Sequence, residues 1–349
     1  MKEFGDKIID WYLLNKRELP WRNTKNPYYI WLSEVILQQT RVEQGLPYYI
    51  KFIEKFPKIE DLAKSDQNEV LRLWQGLGYY ARGRNLHHTA NLVMNEFDGI
   101  FPTKFDHLIQ LKGIGNYTAA AISSFCTNEA KAVVDGNVYR VLARYFGLQS
   151  DISLLKTQKE FQSLANELLN KKRAGLYNQA IMEFGALQCV PKNPLCNICP
   201  LNDSCAAFAQ NKVFQLPVKS KKLKIKTRYF IYLVITDGIH VSIHKRTAGD
   251  IWEGLYEFPL IESEQDLDEI SILNSAAFKK VVRNSNYQIL SISNVFRHKL
   301  THQTINCKFI KIKIAQFTNK SNFEIVSWNS FETYPKPIII QRFYINNKL

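Results

Sequence analysis

The 349-residue sequence holds no apolar run of the roughly 20 residues that a membrane-crossing helix needs. Its opening stretch, "MKEFGDKIIDWYLL", carries acids and lacks the apolar core of a secretory signal. The expectation is a cytoplasmic, nucleoid-associated protein with no membrane partner. Acids are in deficit: 32 Asp+Glu stand against 46 Lys+Arg, a net charge of +14. Residues 1–212 carry 26 basic and 21 acidic side chains, and residues 213–349 carry 20 and 11. The excess points to a polyanionic partner, most simply nucleic acid; an evenly basic, solvated surface would give the same total. No internal repeat is visible. Only six cysteines occur, and Cys189, Cys196, Cys199 and Cys205 fall within 17 residues. In a cytoplasmic chain such clustering indicates metal rather than disulfides. Cys126 and Cys307 stand apart and read as ordinary small buried residues.

What is present is globular in character. Hydrophobic residues make up 46% and charged residues 22%, and the length suits two domains. From Phe4 to about Lys212 the pattern is helical, as in Val138, Val141 and Leu142. "FPKIEDLAKSD" and "FPTKFDHLIQL" each set a turn before an apolar run. The character changes at "VFQLPVKSKKLKIKTR", proline-marked and lysine-rich, which reads as a linker over 213–227. Beyond it, "RYFIYLVITDGIHVSIHKR" predicts two strands joined at Asp237-Gly238, and "INCKFIKIKIAQF" alternates with period two. An α+β domain is expected over 228–349.

Four constellations carry chemistry. In "LKGIGNYTAAAI", Gly113 and Gly115 precede a helix start, and both are expected at positive φ, bringing backbone N–H groups close to a phosphate. Such a clamp would grip DNA without reading its sequence; a plain helical corner would look the same. In "VVDGNVYRVLAR", Asp135 sits at an expected helix N-cap, either simply as that cap or as a carboxylate at the mouth of a cleft. In "WLSEVILQQTRV", Glu34 is a lone acid among apolar neighbours. A surface position on its helix is the plain reading. Burial would instead favour its neutral form, which a general acid requires. Together, two carboxylates in different environments can cleave a glycosidic bond, one protonating the leaving group and the other stabilising a sugar cation. Finally, Cys-x6-Cys-x2-Cys-x5-Cys suits zinc and iron–sulfur alike on spacing alone.

These motifs, with "LPWR" and "GLGYYARGRNLH", resemble in order the catalytic domain of the MutY-type adenine DNA glycosylases. The resemblance implies an all-α helix–hairpin–helix glycosylase domain over 1–212. A six-helix-barrel-type lobe would span about 21–134, and an iron–sulfur lobe about 1–20 plus 135–212. It implies a [4Fe-4S] cluster on Cys189, Cys196, Cys199 and Cys205, in the manner of the endonuclease III superfamily. The implied activity is hydrolytic removal of adenine mispaired with 8-oxoguanine or guanine, by a monomer acting on double-stranded DNA. Glu34 would be the general acid and Asp135 the stabiliser of the sugar cation, supported by Tyr117 and Asn137. Arg17, Leu19, Trp21 and Gln179 would line the adenine pocket, and Gln39 and Tyr79 would wedge into the duplex. Core packing competes with these roles for Leu19, Trp21 and Tyr79. An extrahelical adenine is expected, because the bond is out of reach inside the stack.

Bifunctional members of the superfamily carry a lysine where this sequence has Tyr117, so the resemblance implies little lyase activity. "IWEGLYEFPL" resembles the start of a Nudix box, yet no arginine occurs between Arg246 and Arg283 to begin its catalytic core. A Nudix-like domain that recognises 8-oxoguanine without hydrolysis is implied. The family's Phe-Ser-His recognition loop aligns with Leu300, Thr301 and His302, so the hydroxyl survives at Thr301 and the aromatic ring is lost. A strand histidine satisfied in place is the plain reading of His302. The alternatives are an endonuclease III-like glycosylase/AP lyase on damaged pyrimidines, a non-catalytic mismatch-binding protein, and a nucleotide pyrophosphatase. Tyr117, the Glu34/Asp135 pair and the missing Nudix core speak against them in turn.

Overall fold

The computed structural model describes residues 2–220, 225–282, 286–317 and 323–347. The chain divides into two compact units, Met1–Lys64 with Asn85–Lys221, and Ser65–Arg84 with Lys222–Leu349. Residues 65–84, which the sequence reading keeps within 1–212, thus pack with the C-terminal residues. Among the described residues no helix is long and apolar enough to cross a membrane.

The first unit is helical. Helix Pro27–Leu37 opens with proline at its first turn, and the Asn26 side chain accepts the Tyr28 N–H. It is apolar on nearly every side, so it runs through the interior and carries Glu34 inside with it. Helix Gly136–Phe146 begins at Asp135, whose carboxylate caps the N–H groups of Asn137 and Val138, and stops at left-handed Gly147. Helix Ala174–Leu187 packs against helices Lys2–Asn15, Asn116–Thr127 and Gly136–Phe146. Gly185 permits one of these crossings: a methyl there would lie 2.7 Å from Asn137 Cβ and 3.0 Å from its carbonyl oxygen.

Phe4, Ile8 and Tyr12 of the first helix share a core with Val141, Phe161, Phe184 and Leu201. The start of the chain and the segment after residue 132 are therefore one packed body. Val213 and Leu216 join this core, and Ile152 N–H donates to the Val218 carbonyl. The expected linker is thereby anchored to the helical unit as far as residue 218. Its residues 221–224 lie outside the described residues, and Lys226 already begins a strand.

The second unit is built on a mixed sheet: β1 (Lys226–Thr236), β2 (His240–Lys245), β3 (Tyr256–Glu257), β4 (Leu260–Ser263), β5 (Tyr287–Ile292), β6 (Phe296–Lys299), β7 (Gln303–Ile314) and β8 (Glu324–Ser327). The main path runs β3-β2-β1-β7-β5, with β4 on β1, β6 on β7 and β8 on β2. β1 and β7 run parallel in continuous register from Lys226↔Gln303 to Thr236↔Lys313. β1 is buried on both faces, as its unbroken apolar run requires. Ile231, Leu233 and Ile235 meet Ile310, Ile312 and Phe278. Tyr232 stacks on Phe309, which stacks in turn on Phe343. β6 and β7 form a hairpin whose tip is Leu300-Thr301-His302.

Candidate active site

A cleft of about 780 Å³ opens in the helical unit. Glu34, Tyr117, Asp135 and Asn137 line it, as do Arg17, Leu19, Trp21, Gln179 and Gln39. Residues from five separate stretches of sequence thus converge on one cavity, and each is delivered by the packing just described.

Glu34 is 6% exposed. Burial drives its carboxyl up to about 7, the Asp135 charge pushes the same way, and a hydrogen bond from the Tyr117 hydroxyl opposes both. Tyr117 is itself held well above the ordinary phenol range by burial and by the two neighbouring carboxylates, so it remains a donor. Its hydroxyl lies 3.9 Å from Met182 Sδ. Asp135 is also raised by burial, against the N–H groups it receives at 2.9 and 2.8 Å from Asn137 and Val138. The Asn137 side-chain amide adds a third bond at 2.8 Å.

The cleft contains a second buried acid that the sequence reading missed. Glu183 takes bidentate bonds from Arg17 at 2.9 and 2.7 Å and from Arg22 at 2.8 and 2.6 Å. Burial would raise its carboxyl, yet the two guanidinium groups outweigh that and hold it at about 2. The signal that singled out Glu34, a lone acid in an apolar helix, is equally present in "AIMEFGAL". Glu34 and Glu183 are buried alike and titrate far apart because only one of them has cations bonded to it.

Arg140 was likewise missed. Its guanidinium bonds the Asn137 side-chain oxygen at 2.9 Å, the Gly185 carbonyl at 2.6 Å and the Cys189 carbonyl at 2.7 Å. Of the expected pocket residues, Trp21 packs edge-on against Tyr49 and is nearly buried, while Leu19 is buried beside it in sequence. The Tyr12 hydroxyl donates to Gln179 Oε1 at 3.0 Å, which fixes the amide and leaves its NH2 as the free end. Arg17 is committed to Glu183, so it contributes a braced cation more than a mobile one.

Gln39 and Tyr79 share an unusual feature: their φ values are +58° and +47°. Side chains other than glycine, asparagine and aspartate seldom adopt this region, and such strain concentrates where function demands it. Tyr79 belongs to the second unit and is exposed. Its hydroxyl meets that of Thr301 at the β6–β7 tip. Thr301 and His302 are both exposed there, just before β7, and His302 Nε2 lies 3.3 Å from the Gln303 side-chain nitrogen.

The glycine turn is half as expected. Gly113 has φ +82°, and a methyl there would sit 2.9 Å from Asn85 Cβ. Gly115 is extended at φ −94° instead, because it serves as the N-cap of helix Asn116–Thr127. A methyl on Gly115 would meet no protein atom, so its bareness leaves open space at the helix N-terminus.

Cys189, Cys196, Cys199 and Cys205 line one small cavity together with Leu195, Phe208 and Val213. Arg144 Nη1 lies 3.4 Å from Cys189 Sγ, and backbone N–H groups of Leu201 and Phe208 reach Cys199 and Cys205. Burial pushes the Cys196, Cys199 and Cys205 thiols up, and these backbone donors only partly oppose it at Cys199 and Cys205. Among the described residues no three His, Cys, Asp or Glu side chains converge on one ion-sized point. Four cysteines around one cavity can supply one thiolate to each iron of a four-iron cluster.

Comparison with known proteins matches three family models to the chain. A family model described as HhH-GPD superfamily base excision DNA repair protein matches residues 32–170. One described as the iron-sulfur binding domain of endonuclease III matches 189–205, and one described as NUDIX domain matches 231–345. An adenine DNA glycosylase of Buchnera aphidicola subsp. Baizongia pistaciae is 37% identical over 328 residues, covering 93% of this chain and 90% of that protein. The adenine DNA glycosylase of Homo sapiens is 42% identical over 213 residues, 58% of this chain and 39% of that one. A solved thermostable thymine-DNA glycosylase superposes with a TM-score of 0.55 at 30% identity, over 59% of this chain and 95% of the other.

Proposed function

The chain belongs to the adenine DNA glycosylases, enzymes of base excision repair that hydrolyse an N-glycosidic bond in DNA, and on that premise we propose how its own residues do so. One observation carries the reading: a buried Glu34, its carboxyl pushed up to about 7 by burial, lines the same cleft as Asp135 and Tyr117. Glu34 delivers its proton to a ring nitrogen of a flipped-out adenine, making the base a competent leaving group. Asp135, held by Asn137 and two backbone amides, stabilises in its carboxylate form the sugar cation left behind. Water completes the hydrolysis. The NH2 of Gln179 and the walls formed by Leu19 and Trp21 hold the base, and the Arg17–Glu183–Arg22 network fixes the pocket floor.

The enzyme is monofunctional. What supports this is Tyr117, which lines the cleft and stands in the motif where bifunctional members of the superfamily carry the lysine that forms a Schiff base. Cys189, Cys196, Cys199 and Cys205 would hold a [4Fe-4S] cluster that would staple the loop that Arg140 ties to Asn137, with the hydrolysis left to the carboxylates. Gly113 and Gly115 hold a DNA phosphate, Gln39 and Tyr79 enter the duplex, and the Thr301 hydroxyl with His302 reads 8-oxoguanine opposite the adenine. The protein works as a cytoplasmic monomer.

Single-turnover adenine release tests this on duplexes holding adenine opposite 8-oxoguanine, guanine and thymine. The expected order is fast, slower and negligible. Comparable release opposite thymine overturns the mispair specificity.

A further inference from the structure

We propose that the Arg84–Glu253 ion pair is a specificity latch, a positioning device within the second unit that holds the Tyr79 turn where its hydroxyl meets Thr301. The inference rests on the reading that the Thr301 hydroxyl recognises 8-oxoguanine opposite adenine, and adds that the Tyr79 hydroxyl, bonded to it, sets its position.

The pair is more than a surface contact. Arg84 Nη2 lies 3.0 Å from Glu253 Oε2, and Nη1 donates to the Glu253 carbonyl at 2.7 Å. One guanidinium thus grips both the side chain and the main chain of a single residue. The side chains are only 19% and 34% exposed, so solvent and salt screen them less than an open pair. The carbonyl is aimed by an unusual backbone, since Trp252 at φ +62° and Gly254 at φ +79° flank Glu253. The arginine stem lies along this loop: a methyl on Gly254 would be 3.7 Å from Arg84 Cδ.

The loop is braced from within its own unit. Arg246 Nε donates to the Ile251 carbonyl at 2.9 Å, and Arg228 and Arg246 both bond Asp250 at 2.6 Å. Adjacent residues of the loop then touch both hydroxyl-bearing arms. Trp252 packs on His298, in the strand that leads to Thr301. Glu253 holds Arg84, in the first turn of helix Ala81–Glu96. That turn is continuous with the Tyr79 turn through Arg82 N–H to the Tyr79 carbonyl and Arg84 N–H to the Tyr80 carbonyl. Tyr79 is held at positive φ, a conformation with little intrinsic preference, so its position depends on such external anchoring. Rigid coupling of the two arms fixes the spacing of the hydroxyls, and a fixed donor–acceptor spacing is what separates one purine edge from another.

The test uses the full-length, cluster-loaded protein and the ratio of single-turnover adenine release opposite 8-oxoguanine to that opposite guanine. Arg84→Met and Glu253→Gln are each expected to lower this ratio about fivefold, the scale of one partly shielded ion pair, with release opposite guanine and iron content unchanged. Arg84→Lys, which keeps the charge and loses the second bond, falls between. Combining Arg84→Met with Thr301→Val should lower the ratio no further than Thr301→Val alone. An unchanged ratio in both Arg84→Met and Glu253→Gln, with Thr301→Val lowering it, overturns the latch alone. Additive losses overturn it as well. An unchanged ratio in Thr301→Val overturns the recognition reading, and the latch with it.

Discussion

Glu34→Gln preserves the size of the side chain and an acceptor for the Tyr117 hydroxyl, and removes only the titrating proton. Two consequences follow from the same number. Glu34 titrates at about 7 in the folded protein against an ordinary 4.5. Between those values the folded chain binds a proton that the unfolded chain has released, so this group's contribution to stability falls as pH rises through the window. It is fully present below about pH 4.5 and lost above about pH 7. The shift is worth roughly 3 kcal/mol, at about 1.4 kcal/mol per pH unit. Glutamine has no such dependence. The melting temperature of the variant relative to wild type should therefore climb by roughly 6–12 °C between pH 4.5 and pH 8, at about 2–4 °C per kcal/mol for a unit of this size. Single-turnover adenine release should fall by roughly 10²–10⁴-fold, the usual contribution of a general acid, with mismatch binding retained. Wild-type release should itself decline tenfold per pH unit above about pH 7. A melting-temperature difference that is flat with pH, or release that survives in the variant, refutes the assignment of Glu34 as a buried neutral acid.

Other perturbations probe the remaining parts of the site. Tyr117→Lys places an amine beside Glu34 and Asp135, and borohydride should then trap a covalent complex with DNA; wild-type protein should give none, and trapping of the wild type contradicts the monofunctional assignment. Gly185→Ala inserts a methyl 2.7 Å from Asn137 Cβ. It should cost about 1–3 kcal/mol in denaturant titration and slow adenine release, since the helix that must shift is the one Asp135 caps; unchanged values on both counts contradict the tight crossing. Chelation of the iron should open residues 189–205 to protease and slow release through the Arg140 link between Cys189 and Asn137; the link is refuted if release persists once the loop is cut. Elemental analysis should return iron and sulfide with no stoichiometric zinc.

Much of this protein is legible in its sequence, because the informative features are local. A lone acid in an apolar helix, a glycine turn before a helix, a capping aspartate and four closely spaced cysteines each imply their surroundings from a dozen residues or fewer. Hence the sequence singles out Glu34, Asp135 and the cysteine loop, which the structure places in one cleft and around one small cavity, and the change to an alternating pattern beyond residue 228. The same local reasoning failed where two explanations share one pattern. Gly115 was expected at positive φ like Gly113, and its N-cap role makes it extended instead. Glu183 carries the same local signal as Glu34 and was passed over.

Only tertiary structure could separate those two acids. Arg17 and Arg22 lie more than 160 residues from Glu183 in sequence, and their approach turns one buried carboxyl into a permanent anion while Glu34 keeps its proton. The assignment of residues 65–84 to the C-terminal unit, and the meeting of Tyr79 with Thr301, likewise depend on contacts between distant segments. The sequence by itself determined which side chains are chemically capable, since that is a property of residue type and near neighbours. Which of them are charged, strained or paired was decided by packing, because desolvation and Coulomb energy depend on what the fold brings within a few ångströms.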